Sequence, residues 1–278
     1  MDKLTQISVS NSTHESNDKP QSNVINIVIE IAKEAWDFYV QYKRTINEVT
    51  NYWEDEIKTG LSNGKYTNNT DDIQHSRIKN IFDKLEKSLT PDQNKYNWRI
   101  YLQNSDEVNA FAALDGIIII NRGIVEFCQT DDELALVIGH EMAHITEGHV
   151  KKQVLAKKTA KLVIKHISSF IAQKKNKRLN SEEISDQEIL HKELLQLIFG
   201  QAGKLISLKF SRLQEKKADK VGAMYAANVG YDTVKGYDFW KRMALITNDS
   251  KWTAFLSAHP YSQERAAAFL NSVTPALT

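Results

Sequence analysis

The chain has a single cysteine, Cys128, among its 278 residues. That excludes an internal disulfide framework and any zinc or iron–sulfur site built from several thiolates, and it leaves the redox compartment open. The chain also lacks an excess of either charge, with 36 Lys and Arg against 35 Asp and Glu. Such a balance argues against a protein that holds nucleic acid by neutralising phosphates, and against an acidic disordered chain. No long apolar run is present: the stretches at 117–120 and 134–138 fall far short of the roughly 18 residues that span a bilayer. The polar first 23 residues contain no apolar segment of the kind found in a secretory leader. The cytoplasm is the default location for such a chain, and an exported, processed, periplasmic chain would read the same way. No internal repeat is visible.

Residues 1–23 read as a disordered polar tail, because they offer almost no apolar surface to offset the entropy of ordering them. The remainder, 24–278, reads as a single domain. Over 24–58, Val28, Ile31, Ala32, Ala35, Phe38 and Tyr39 recur at three- and four-residue spacings, which predicts a helix whose Trp36 and Trp53 pack on the core. A loop at 60–70 leads to a second helix, capped by Asp71 or Asp72, with a stripe of Ile73, Ile78, Ile81, Phe82 and Leu85. Segments 98–102, 108–113 and 117–121 have strand texture, the last two flanking the turn signal Asp115-Gly116, and suggest a sheet of three strands. The rest is helical in pattern, including 188–229 and 232–248, apart from a polar stretch at 174–187 that reads as a mobile loop. The expected class is α+β, mainly helical, with one small sheet.

The most informative stretch is 131–150. Thr130 and Glu133 have the spacing of a capping box, so a helix starts here. Its Leu134, Leu136, Val137, Ile138, Met142 and Ile145 surround the axis, which predicts a buried helix. Yet its middle reads His140-Glu141-Met142-Ala143-His144, and His140, Glu141 and His144 share a stripe roughly 100° wide. Ionisable groups on a buried helix are costly unless something satisfies them. A zinc ion does so: two imidazoles one turn apart reach one metal, and the glutamate beside them reaches a metal-bound water.

Two histidines need a third protein ligand. In one known spacing it is a histidine six residues after His144, but Val150 occupies that position and Glu147 the accompanying glycine position. His149 points about 140° from His144 if the helix continues, and reads as a surface or second-layer residue. A glutamate on a later helix is the other option, and Glu215 in the stretch 211–219 fits best. Asp219, one turn on, shares its face with Ser211, Ala218 and Gly222, small residues that would let this helix approach the first closely. A carboxylate there can accept the free N–H of a metal-bound histidine. The competing reading is a solvated charge run, Glu215-Lys216-Lys217 with Asp219 and Lys220.

H-E-x-x-H at 140–144, R-x-x-E-x-x-A-D from Arg212 to Asp219, and His259-Pro260 with Arg265 together resemble the M48 family of zinc metallopeptidases, over about 73–270. That family includes the HtpX-type heat-shock peptidases, the CAAX prenyl proteases and BepA-type peptidases. Lacking hydrophobic spans, the chain looks like the soluble, BepA-like type, without that protein's helical repeats. The resemblance implies a zincin-like metallopeptidase core and one zinc per chain. It also implies the ligands His140, His144 and Glu215, with Glu141 as catalytic base and Arg212 and Asp219 in the layer behind. The family's N-A-x-x-x-P-G-G is matched by 109–116, with Leu114 and Asp115 in place of the proline and first glycine.

The implied reaction is hydrolysis of polypeptides. His259 would serve either as a donor to the developing oxyanion or as a fourth zinc ligand that closes the site. The resemblance also makes the strand with Gly116, Ile117, Ile118 and Ile119 a cleft border, to whose edge an extended substrate could add. Backbone pairing reads side chains poorly and suggests unfolded or flexible substrates. Two other classes compete. In the first, a non-catalytic zinc centre supports chaperone-like binding, and the presence of Glu141 argues against it. In the second, Lys151, Lys152, Lys157, Lys158, Lys161 and Lys165, interspersed with apolar residues, form a basic amphipathic helix that touches a membrane surface.

Overall fold

The computed structural model describes residues 19–156 and 210–244, with Phe255 and His259. The expected loop at 174–187, the helical stretch 188–209, Arg265 and all but the start of the lysine-rich segment lie outside the described residues. The chain divides into two units, Met1–Thr45 and Ile46–Thr278. The boundary falls inside the first helix, α1 (Lys19–Ser62). Helix thus begins at Lys19, so 19–23 of the expected tail are helical and 1–18 lie outside the described residues.

In the first unit the described side chains of the apolar stripe of α1 are exposed, and Trp36 does not pack on a core as expected. Trp36 is 65% exposed, with Ile29, Phe38, Tyr39 and Val40 also open. Its ring partner is Tyr39, one turn on, with centroids 5.8 Å apart. Spacing specifies a stripe but not the surface that covers it. In the second unit Val49, Trp53 and Ile57 on the rest of α1 are buried, and Trp53 packs against Phe111.

Helix α2 (Ile73–Glu86) starts where Asp72 accepts the N–H groups of Gln74 and His75 at 3.0 and 3.1 Å. Ile78, Ile81, Phe82 and Leu85 are buried, but Ile73 is 84% exposed and leaves the expected stripe. It stands about 140° round the helix from Ile78.

The sheet has four strands rather than three, because Tyr66–Thr67 in the expected loop forms a short strand, β1. With β2 (Arg99–Gln103), β3 (Ala110–Ala112) and β4 (Ile117–Asn121) the order is β1-β2-β4-β3. β4 runs parallel to β2 and antiparallel to β3, with Ile120 opposite Leu102 and Ile118 opposite Ala112. Ile117 to Ile120 are fully buried, as an interior strand requires of an unbroken apolar run. Between β3 and β4, Asp115 (φ 60°) and Gly116 (φ 82°) both take the left-handed conformation, which these two residue types tolerate.

After α3 (Arg122–Phe127) comes α4 (Asp131–Thr146), buried from Glu133 to Ile145. It packs on α2, the sheet, α5 (Arg212–Asn228) and α6 (Thr233–Ala244). The expected capping box is half formed. Thr130 Oγ1 accepts the Glu133 N–H at 3.2 Å, but the Glu133 carboxylate accepts from the Gln129 N–H and pairs with Arg242 of α6 at 2.6 Å. A full box instead starts α5, between Ser211 and Gln214. Ser211 is therefore the exposed cap and not, as expected, a small residue on the face of Asp219. Ala218 and Gly222 do lie buried on that face, where Gly222 meets Gly139 of α4 backbone to backbone. No helix among the described residues is long and apolar enough to cross a membrane.

Candidate metal centre

α4 places His140 and His144 one turn apart, α5 presents Glu215 and Asp219 across the glycine contact, and His259 enters from a bend whose N–H donates to Phe255 O at 2.8 Å. His140, His144, Glu215 and His259 are all buried. The Nε2 atoms of His140 and His144 lie 2.9 Å apart, and each faces the Glu215 carboxylate, at 3.5 and 3.3 Å. His259 Nδ1 lies 3.3 Å from Glu215 Oε1 and 3.2 Å from His140 Nε2. One donor atom from each of the four falls within 4.8 Å of the others. Three imidazole nitrogens and a carboxylate oxygen converging in a buried space fit a zinc ion: they are its preferred donors, and unfilled they crowd one another.

The electrostatics agree. Burial opposes charge on His140, but the Asp219 and Glu215 carboxylates raise it to about 10. Burial would raise Glu215, yet His259, His140 and His144 hold it well below the usual carboxylate range. Burial lowers His144 well below the usual imidazole range despite Glu215. The pocket thus keeps an anion beside imidazoles and draws a positive charge into the space between them.

Glu141 points into the same space. Neither of its oxygens has a full hydrogen bond from a described residue, and His259 Nε2 stands 3.4 Å from Oε1. Burial raises its pKa, with His259, His140 and the Ala112 backbone pulling the other way. A buried carboxyl with a raised pKa is suited to taking up a proton.

Behind the donors, His140 Nδ1 lies 2.9 Å from Asp219 Oδ1, where the carboxylate was expected. Arg212 does not join that layer. It is exposed at the first position of α5, and no contact among the described residues links it to the ligands. His149 is not at the surface: α4 does not continue, because Gly148 (φ 69°) turns the chain, and His149 folds back into the interior. Its Nδ1 lies 3.1 Å from His144 Nδ1, and burial lowers its pKa to about 4. Gly148 itself was the available signal, as a helix-ending glycine. Phe210 stacks on His144 with centroids 3.8 Å apart and 23° between planes, and nothing in the residue pattern marks it.

The expected border strand is misplaced. Gly116 lies in the turn, and Ile117, Ile118 and Ile119 belong to β4, which is hydrogen-bonded on both sides and has no free edge. β3 is the edge. Asn109, Phe111 and Ala113 turn to β4, so alternation turns the N–H and C=O of Ala110 and Ala112 outward, on the side of Glu141.

The sequence pattern of Peptidase family M48 matches residues 72–273. The chain is similar to the mitochondrial metalloendopeptidase OMA1 of Arabidopsis thaliana, 26% identical over 70% of this chain and 35% of that protein. It is similar to metalloprotease LoiP of Escherichia coli (strain K12), 26% identical over 61% of this chain and 60% of that protein. It is also similar to the mitochondrial metalloendopeptidase OMA1 of Homo sapiens, 24% identical over 80% of this chain and 40% of that protein. The chain thus spans less than two thirds of the length of these relatives. The match from 72 to 273 takes in all four metal-facing side chains and the buried glutamate between them, and the chain belongs to peptidase family M48.

Proposed function

We propose that the chain is a zinc-dependent endopeptidase that cleaves peptide bonds in unfolded or flexible polypeptides. The observation that carries this reading is Glu141, a buried carboxyl without a full hydrogen bond, directed into the cluster of His140, His144, Glu215 and His259. A purely structural centre has no use for such a group. The relatives' names, metalloendopeptidase and metalloprotease, agree with it.

His140, His144 and Glu215 would hold the ion. When bound, zinc acts as a Lewis acid that acidifies water and polarises a carbonyl oxygen. Glu141 takes the proton of the attacking water and later passes it to the departing amine. Asp219 holds His140 at the nitrogen opposite its metal-facing one. The outward N–H and C=O of Ala110 and Ala112 pair with an extended substrate, which favours chains that are already unfolded.

His259 supports two roles. Its Nε2 beside Glu141 suits a donor to the developing oxyanion, whereas its Nδ1 among the ligand atoms suits a fourth ligand. Two short approaches to ligand atoms favour the second, and with it a latent enzyme that opens when His259 withdraws. The deciding experiment measures zinc content and casein cleavage together, in wild type and Glu141→Gln. One zinc in both, with cleavage in wild type alone, supports the reading. Zinc without hydrolysis, unchanged by Glu141→Gln and by His259→Ala, overturns it in favour of a non-catalytic centre.

A further inference from the structure

We infer that His149 is a positioning residue of the metal centre, whose Nδ1 accepts the Nδ1–H of His144 and so fixes which nitrogen of His144 faces the cation. This rests on the metallopeptidase reading above. His144 Nε2 looks towards Glu215 Oε1 at 3.3 Å and His140 Nε2 at 2.9 Å, so Nε2 is its metal-facing atom. A ligating nitrogen must present its lone pair, which leaves the ring proton on Nδ1. A buried N–H needs an acceptor, and the Nδ1 of His149 stands 3.1 Å away. His149 then carries its own proton on Nε2.

The two metal-facing imidazoles of α4 are thus held by different means. His140 is backed by a carboxylate, Asp219, at 2.9 Å, and His144 by a neutral ring. The backbone is built for the second arrangement. On a continuing helix His149 would point about 140° away from His144. The left-handed Gly148 ends α4 and brings the ring back. Phe210, stacked on the face of His144, blocks tilting of the same ring that His149 tethers at its edge. A buried histidine with a packing role alone would be replaceable by any ring of similar size, and that difference can be measured.

The test compares wild type, His149→Phe and His149→Asn for zinc affinity, by competition with a chromophoric chelator, and for the unfolding temperature of the metal-free chain. Phenylalanine keeps the ring and removes the acceptor. Asparagine loses the ring but places Oδ1 where histidine has Nδ1. The expected result is zinc binding about 10- to 100-fold weaker for His149→Phe. His149→Asn should stay close to wild type even if its metal-free chain unfolds earlier. Equal affinity of His149→Phe and wild type overturns the proposal, as does an equal loss in both variants. Should His149→Phe not fold, His149→Asn decides alone: retained affinity supports the proposal and a tenfold loss overturns it. A wild-type chain that binds no zinc overturns the metallopeptidase reading and this one with it, whereas tight wild-type binding that is indifferent to His149 overturns this one only.

Discussion

Gly139 of α4 and Gly222 of α5 touch through their main chains: a Cβ on Gly222 would lie 2.6 Å from the carbonyl carbon of Gly139. No side chain fits between them, so this crossing sets how far Glu215 stands from the two imidazoles. Gly222→Ala should separate the helices at a cost of about 1–3 kcal/mol. Zinc affinity should fall along with the unfolding temperature, although residue 222 meets only the backbone of Gly139 and His140 and no metal-facing atom. A calorimetric zinc titration beside a thermal melt checks both, and unchanged zinc binding would show that the crossing does not set the site.

Glu141→Gln should retain one zinc and lose about 10²- to 10⁴-fold in turnover, the usual contribution of a general base. Metal analysis on the purified variant separates this loss from loss of the ion.

With His259 in the proposed fourth-ligand role, His259→Ala should raise turnover on a short flexible peptide and loosen zinc. Lost turnover with unchanged zinc affinity would reassign His259 to oxyanion stabilisation. Initial rates with one fluorogenic peptide, at matched zinc occupancy, distinguish the two.

Removing the metal should destabilise the fold and link zinc to protons. A ligand at a thousandfold excess over its dissociation constant stabilises the native state by about 4 kcal/mol, and chelation withdraws that. In the metal-free chain His140 is raised to about 10 against burial, by Asp219 and Glu215. Its ion pairs contribute fully below the ordinary imidazole pKa of 6.5 and fade as pH rises towards 10. Zinc must expel that proton, so zinc affinity should rise with pH across the neutral range. Titrations in buffers of different ionisation enthalpy would read the released proton directly.

Elsewhere in the second unit, Asp72 caps α2 and pairs with Arg122, whose guanidinium beside it lowers the carboxyl to about 2. A lowered pKa means that the stabilisation is complete above the ordinary value of 3.8 and is lost as pH falls to about 2. Asp72→Ala should cost about 0.5–2 kcal/mol at neutral pH and flatten the acid limb of the stability curve over that window. Denaturant melts at several pH values would show it.

Much of the site was legible because its groups are close in sequence or share a helix face. His140, Glu141 and His144 follow one helical stripe, and Asp219 follows Glu215 by one turn. Elements with a strong local signal were legible too, such as the uninterrupted isoleucines of β4 and the aspartate cap of α2. What escaped depended on the third dimension. The four-residue spacing of α1 could not say that Trp36 stays open, and the texture of β4 could not say that β3 lies outside it. Extending α4 through Gly148 left His149 undecided between the surface and the second layer. Phe210 reaches His144 only through the fold, and no local pattern encodes that.

The four isoleucines from Ile117 to Ile120 carry a cost before they are enclosed. They form an uncharged, β-branched ribbon with no gatekeeper among them. Its lateral neighbours Arg99–Gln103 and Ala110–Ala112 precede it in the chain, but the helix Asp131–Thr146 leaves the ribosome afterwards. Until that helix emerges, the growing polypeptide presents this ribbon to other nascent chains, so a pause after the ribbon has left the ribosome and before the helix has should favour clumping over folding.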